Sequence, residues 1–400
     1  MVNFLIRCKH KIARTINIIL MYCYRILPVN SKLIVFESEG DLSDNSFALY
    51  DYLRKNGYLK KYYVVWLVED PEKAMTQGYE NTDFVEKLPQ FINARRSKYL
   101  ATCRWYIYDH GNLLDNVKRQ GQEAIFLSHG CTFKMPSKDA KRCTADEVYI
   151  TGKLYKYSMS VFCQCNENVL LDIGYPRLDY FFKRGSLEEV KIRNYFQLQK
   201  YKKLLLWMPT FRKSVSPHLN ESYFDNATGL PIIETKSELI EFNDFLKKSQ
   251  AVCVFKVHHL QAELEGFHDR YSNIIIISDS ILRELNVQLY QFVPVSDALI
   301  TDYSSIGSDY MLLDQPIIYT LDDYENYRTS RGFSIEDPAQ WFVGYHVYKK
   351  QDLYDAIEEI IDGKDVYKEK RNNALPLMHT HCDGNASSRI VKHLGLRNEV

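Results

Sequence analysis

Three short stretches offer reactive side chains at the ends of apolar runs. His129 follows "EAIFLS" and precedes Gly130, His258 follows "VCVFKV", and Ser304 and Ser305 follow "ALITDY". Imidazole titrates near neutrality, with a reference pKa of about 6.5, so a histidine can take a proton from a hydroxyl or donate one to an oxyanion. A serine pair at a turn that opens a helix can hold an anion with hydroxyl and backbone donors, aided by the helix dipole. A single histidine after a strand is ordinarily structural. Here a second histidine and the serine pair at other strand ends favour chemistry, with His129 as general base and Gly130 giving the backbone a sharp turn. The resulting expectation is activation of a nucleophile beside a bound anion.

These residues need a scaffold that gathers strand ends. "KLIVFES", "KYYVVWLVED", "RWYIYDHG", "EAIFLSHG", "DEVYITG", "KLLLWMPTFR", "AVCVFKVHH", "SNIIIISD" and "DALITDYSS" read as short buried strands separated by helical stretches. Such alternation predicts parallel sheets with helices on both faces, an α/β architecture whose ligands sit at the carboxyl ends of strands. Strands give way to a charged helical stretch near residues 183–200. We therefore expect a segment 1–30, doubly wound domains at 31–182 and 183–365 with a cleft between them, and a helical end, 366–400, packing back on both. Neither a "GxGxxG" fingerprint nor a P-loop occurs, which argues against a dinucleotide enzyme or a P-loop kinase.

The chain has 400 residues, of which 46% are hydrophobic, and a formal net charge of zero, so a general nucleic-acid binder is not expected. Nine scattered cysteines, an odd number, point to reduced thiols. Cys163 and Cys165 lack zinc spacing, and His379, His381 and Cys382 lack a second ligand cluster, so no metal is expected. No acid precedes Glu37, whereas Arg7, Lys9, Lys11, Arg14 and Arg25 crowd the first thirty residues. The longest uncharged run there, Thr15 to Tyr24, is about half of what a bilayer span needs. Ile12, Ile16, Ile19, Leu20 and Cys23 share one helical face, predicting an amphipathic helix in a membrane interface or packed by that face on its own domain.

Taken in order, "LSHGCTFK", "GYPRLDYF", "MPTFRKS", "FKVHH", "ITDYSSIGSDYMLLDQPIIY" and "YRTSRGF" resemble the motifs of the CDP-glycerol glycerophosphotransferases. That family comprises teichoic acid primases and polymerases and related capsule and surface-polysaccharide enzymes. The resemblance runs from "VFESEGDLSDNSFALYDYL" to "DGNASSRI". It implies a GT-B architecture, a peripheral position on the cytoplasmic face of the membrane, and transfer of glycerol phosphate or a related polyol phosphate. The donor would be CDP-glycerol or another CDP-polyol, and the acceptor a lipid-linked saccharide. A nucleotide-sugar glycosyltransferase or a non-catalytic membrane scaffold of the same fold is the alternative.

Such a reaction cleaves a pyrophosphate, and with no metal motif or cofactor the protein must supply the neutralising groups. His129 and His258 are the expected catalytic pair. Ser304, Ser305, Thr210, Arg212, Lys256 and Arg331 are expected on the donor phosphates, with Gly130, Lys134, Asp302 and Asp309 in support. Asp302 fits a structural role better, because a carboxylate beside a pyrophosphate is repelled. Arg177 and Asp179 are read equally as structural or functional, and Tyr327 as packing on the nucleotide. The chain departs from the family pattern at Cys131-Thr132-Phe133, at His259 and in "FVGYHVY", which bears on substrate identity.

Overall fold

The computed structural model describes residues 2–210, 212, 226–257, 267 and 269–398. The apolar runs become two all-parallel sheets. The first contains β1 (Asn30–Glu37), β2 (Tyr63–Val68), β3 (Thr82–Glu86), β4 (Cys103–Tyr108), β5 (Glu123–Phe126), β6 (Glu147–Ile150) and β7 (Leu170–Asp172), in spatial order β3-β2-β1-β4-β5-β6-β7. The second contains β8 (Lys203–Trp207), β9 (Ala251–Phe255), β10 (Ile274–Ile276), β11 (Ala298–Thr301), β12 (Ile317–Thr320) and β13 (Tyr345–Val347), ordered β10-β9-β8-β11-β12-β13. Helices cover both faces, which is why the central strands are almost uninterrupted hydrophobic runs. Trp66 in β2 and Trp207 in β8 are fully buried.

Each sheet reverses its winding once, between β1 and β4 in the first and between β8 and β11 in the second. Loops diverge at such a point and leave a crevice at the strand ends. Register brings particular residues there. Glu37 pairs with Tyr108, and Tyr108 with Phe126, so the segments that follow β1, β4 and β5 emerge side by side. Ile300 pairs with Trp207, so Thr210 and Asp302 leave β8 and β11 at the same level.

The charged stretch after residue 186 is shorter than its composition suggests. A helix spans Leu187–Tyr195, then Gln197 takes a left-handed conformation (φ 52°) and a single 3₁₀ turn, Leu198–Lys200, leads into β8. The carboxyl-terminal segment returns to the first domain. Asp179 accepts the Ala386 and Ser387 amides at 2.8 and 2.9 Å, satisfying the start of the helix Ala386–His393. Thr380 bonds Thr151 and Asp172, and the Arg397 amide donates to the Tyr62 hydroxyl.

The first helix, Val2–Tyr24, packs against the helix Ala94–Thr102, but not by its apolar stripe. Ala13, Asn17 and Met21 are the buried positions. Asn17 donates to the Pro89 and Phe91 carbonyls and accepts from the Asn93 amide, a hydrogen-bond set that ties the helix to one loop. The opposite face carries Ile12 (59% exposed) and Ile19 (55%), seven residues apart, with Ile18 and Tyr22 beside them, and Ile26 (89%) is exposed in the turn that follows the helix. Among the described residues, no helix is long and apolar enough to cross a membrane.

Candidate active site

His129 lies just beyond β5 in a strained turn. Ser128 has φ 60°, outside the range that side chains prefer, and Gly130 has φ 141°. Gly130 is required for a second reason. A Cβ there would lie 2.3 Å from Ser305 Oγ, so only glycine lets the His129 turn seat against the serine pair of the other domain. Asn45 holds the turn from below, donating to the Ser128 carbonyl at 2.9 Å and accepting from the Arg177 amide.

The imidazole is 64% exposed, and its Nδ1 lies 2.5 Å from Asp44 Oδ2. Asp44 begins the helix Asp44–Lys55 and has φ 58°, a left-handed conformation held by its surroundings. Sequence reasoning missed this residue. Its only local signal is a carboxylate at a helix start, a position common for capping alone. Burial pushes the Asp44 carboxyl upward, but Arg177 and His129 outweigh it and hold Asp44 well below the usual carboxylate range. The ionised Asp44 in turn raises the His129 imidazole to about 9, against the opposing effect of desolvation. With Nδ1 tied to Asp44, Nε2 is the nitrogen left for a substrate.

Arg177 joins this pair to the second domain. One guanidinium nitrogen donates to Asp44 at 2.6 Å, another to Asp309 at 2.7 Å, and the group lies 4.0 Å over the Tyr290 ring. The Tyr290 hydroxyl also donates to Asp309 at 2.7 Å. Arg177, Asp309 and Tyr290 are all buried, so the network lies beneath the cleft and orients His129 through Asp44. Of the two residues read equally from sequence, Arg177 thus anchors the site and Asp179 anchors the returning helix.

The donor-side residues separate into two groups. Asp302 is saturated: it accepts from the Thr210 amide and hydroxyl, from Arg212 and from the Ser304 amide. It fixes the Ser304-Ser305 turn rather than facing a substrate. Arg212 requires a correction. Expected on a phosphate, it is 0% exposed, and its nitrogens bond Asp302 at 2.5 Å and Asp323 at 2.6 Å. Two buried carboxylates claim the guanidinium, making it a floor for the turn. Thr210 also accepts from Lys134 Nζ at 3.0 Å, and Lys256 pairs with Asp279 at 3.0 Å.

Ser304, Ser305 and Arg331 are half-buried, and among the described residues neither serine hydroxyl and no nitrogen of the Arg331 guanidinium has a partner. The helix they introduce, Ile306–Tyr310, is short. His258 and His259 lie outside the described residues. Tyr327 is buried within an aromatic cluster with Tyr303 and Phe333, which border a small cavity between the domains with Lys134, Ser305 and Trp341. The seam is stitched by backbone as well: Lys134 and Phe333 form an antiparallel bridge, the Met135 amide donates to Gly332 and the Ser334 amide to Phe133. Among the described residues, no cluster of three or more histidine, cysteine or acidic side chains is arranged to hold a metal.

Comparison with known proteins finds the same combination of fold and sequence elsewhere. Residues 19–395 match the family described as CDP-Glycerol:Poly(glycerophosphate) glycerophosphotransferase. The chain is 27% identical over 336 residues to the teichoic acid poly(glycerol phosphate) polymerase of Bacillus spizizenii, covering 77% of this chain and 78% of that one. It is 27% identical over 397 residues to the teichoic acid ribitol-phosphate primase of the same organism, covering 92% and 91%. Among solved structures, the wall teichoic acid polymerase TagF superposes with a TM-score of 0.71 at 21% identity, covering 99% of this chain and 98% of that chain. A UDP complex of Staphylococcus aureus MnaA superposes with a TM-score of 0.52 at 13% identity, covering 92% and 98%. The fold shared with these structures is the GT-B-like pair of parallel-sheet domains expected from the motifs.

Proposed function

The chain belongs to the CDP-glycerol:poly(glycerophosphate) glycerophosphotransferase family, and on that premise we propose that it moves glycerol phosphate or a related polyol phosphate from a CDP-activated donor to a lipid-linked acceptor in teichoic acid or surface-polysaccharide synthesis. The observation that carries this reading is the Asp44–His129 pair, set against Ser305 across the domain seam. An acceptor hydroxyl gives its proton to His129 Nε2 as its oxygen attacks the β-phosphorus of the donor. The pyrophosphate P–O bond breaks and CMP leaves with the electron pair. Ser304, Ser305 and Arg331 offset charge on the transferring phosphate. Lys256, at the end of the second sheet's β9, belongs to the same donor side.

The test is incubation with CDP-glycerol, CDP-ribitol and UDP-sugars in the presence of lipid acceptors, following CMP or UDP release. CMP release from a CDP-polyol with a new phosphodiester in the product is expected; UDP release with a glycosidic product would make the protein a sugar transferase. The base form of His129 accumulates as pH rises, so the transfer rate should climb with a midpoint at about 9 and level off only above it. In Asp44→Asn the midpoint should fall toward the ordinary imidazole value of about 6.5. A midpoint unmoved by that substitution would separate Asp44 from the titrating group.

The reading includes a membrane surface as partner. The first helix and the turn after it support it: Ile12 and Ile19 on the helix and Ile26 in the turn are exposed, and Lys9, Lys11 and Arg14 lie on the same helix without any nearby acid in sequence. Each such cation contributes about 1 kcal/mol at an anionic surface, and salt screens it. Ile12→Gln, Ile19→Gln and Ile26→Gln together should release the protein from anionic liposomes with little change in its melting temperature, because all three side chains are more than half exposed. Liposome binding that survives the triple substitution would move the contact elsewhere.

A further inference from the structure

We infer that Glu39 binds the acceptor: its carboxylate takes the hydrogen bond of a second hydroxyl, adjacent to the one that His129 deprotonates, so that the site selects a vicinal diol. The inference rests on the transfer reaction proposed above and adds the chemical class of its nucleophile. Glu39 lies in the loop after β1, and its Oε2 is 3.9 Å from His129 Nε2, the nitrogen that Asp44 leaves available. Its backbone is held on both sides. The amide donates to Asp109 at 3.3 Å, and the carbonyl accepts from Lys87 Nζ at 2.8 Å. The side chain is nonetheless 54% exposed and, among the described residues, accepts no hydrogen bond.

The neighbouring carboxylates differ in this respect. Asp41 accepts the Glu69 and Asp70 amides, Glu37 the Gly111 amide, Asp109 the Glu39 and Ser46 amides, and Asp44 is taken by His129 and Arg177. Each has a structural occupation that Glu39 lacks. A carboxylate repels a diphosphate, so Glu39 belongs to the alcohol side of the cleft and Ser304-Ser305 to the phosphate side. Two hydroxyls on adjacent carbons can bracket the pair, one donating to Nε2 and the next to Oε2. Hydrogen bonds to a charged acceptor are the stronger kind, and a site built for a hydroxyl discriminates against an analogue that lacks it.

The experiment compares two soluble acceptors, one ending in a 1,2-diol and one lacking the secondary hydroxyl, with CDP-glycerol as donor. Wild-type protein should prefer the diol by about 10–100-fold in kcat/KM. Glu39→Ala should reduce that preference to about two-fold while the KM for the donor is unchanged, and Glu39→Gln, which keeps a carbonyl acceptor, should fall between. An equal preference in wild type and Glu39→Ala, or equal use of both alcohols by the wild type, overturns the role of Glu39 and leaves the transfer reaction standing. Wild-type protein that transfers to neither alcohol from any CDP-polyol overturns both.

Discussion

His129→Ala should lower the transfer rate by about 10²–10⁴-fold, the usual cost of removing a general base, while donor affinity stays near the wild-type value. Folding should survive, because the side chain is 64% exposed and Asp44 remains paired with Arg177 when the imidazole is gone. The rise in rate toward about pH 9 should vanish along with the imidazole that causes it. Donor binding by calorimetry and initial rates across pH would measure all three. Turnover close to wild type, with the pH profile intact, would remove His129 from the mechanism.

Arg177→Met should be the most damaging substitution for stability. It leaves Asp44 and Asp309 buried without their shared cation, and breaking a buried ion pair from one side typically costs about 3–5 kcal/mol. Chemical denaturation should show the loss. Adding Asp44→Asn and Asp309→Asn should recover part of the stability, since no buried charge then lacks a partner, but transfer should stay low because His129 has lost its orienting carboxylate. A loss below about 1 kcal/mol, the range of exposed pairs, would mean that the seam is held by its backbone bridge and apolar contacts instead.

The strands were legible because parallel strands buried on both faces must be apolar throughout, and their polar successors mark where a ligand can sit. His129 and the serine pair could be located for that reason. Two edge strands were not read. "TDFVE" and "YHV" form β3 and β13, too short and too mixed in polarity to stand out from a loop, whereas the edge strand β10 is marked by its run of isoleucines. Asp44 and Glu39 were missed for a different reason. Each becomes meaningful only when the loop after β1 is brought beside the loop after β5, and nothing local to either segment reports that juxtaposition. Arg212 shows the converse. A cation after a strand end looks like a phosphate ligand until Asp302 and Asp323, some ninety and more positions away, are seen to enclose it. The first helix was expected to use its apolar face, in a membrane interface or against its own domain, but the side it packs carries Ala13, Met21 and the hydrogen bonds of Asn17.

The return of the carboxyl-terminal segment sets an order of events during synthesis. Asp179 and the amides it holds at Ala386 and Ser387 are 207 and 208 positions apart, and the Met378 backbone lies where any side chain at Gly152 would be. The first domain emerges from the ribosome early, yet part of its surface can be covered only after the entire second domain has been translated. Until then the buried side of the 176–182 turn, including the segment that carries Arg177, remains open to chaperones and proteases. Assembly of the His129 cleft is thereby tied to completion of the second sheet, so a chain halted between the domains would present an imidazole without its finished support.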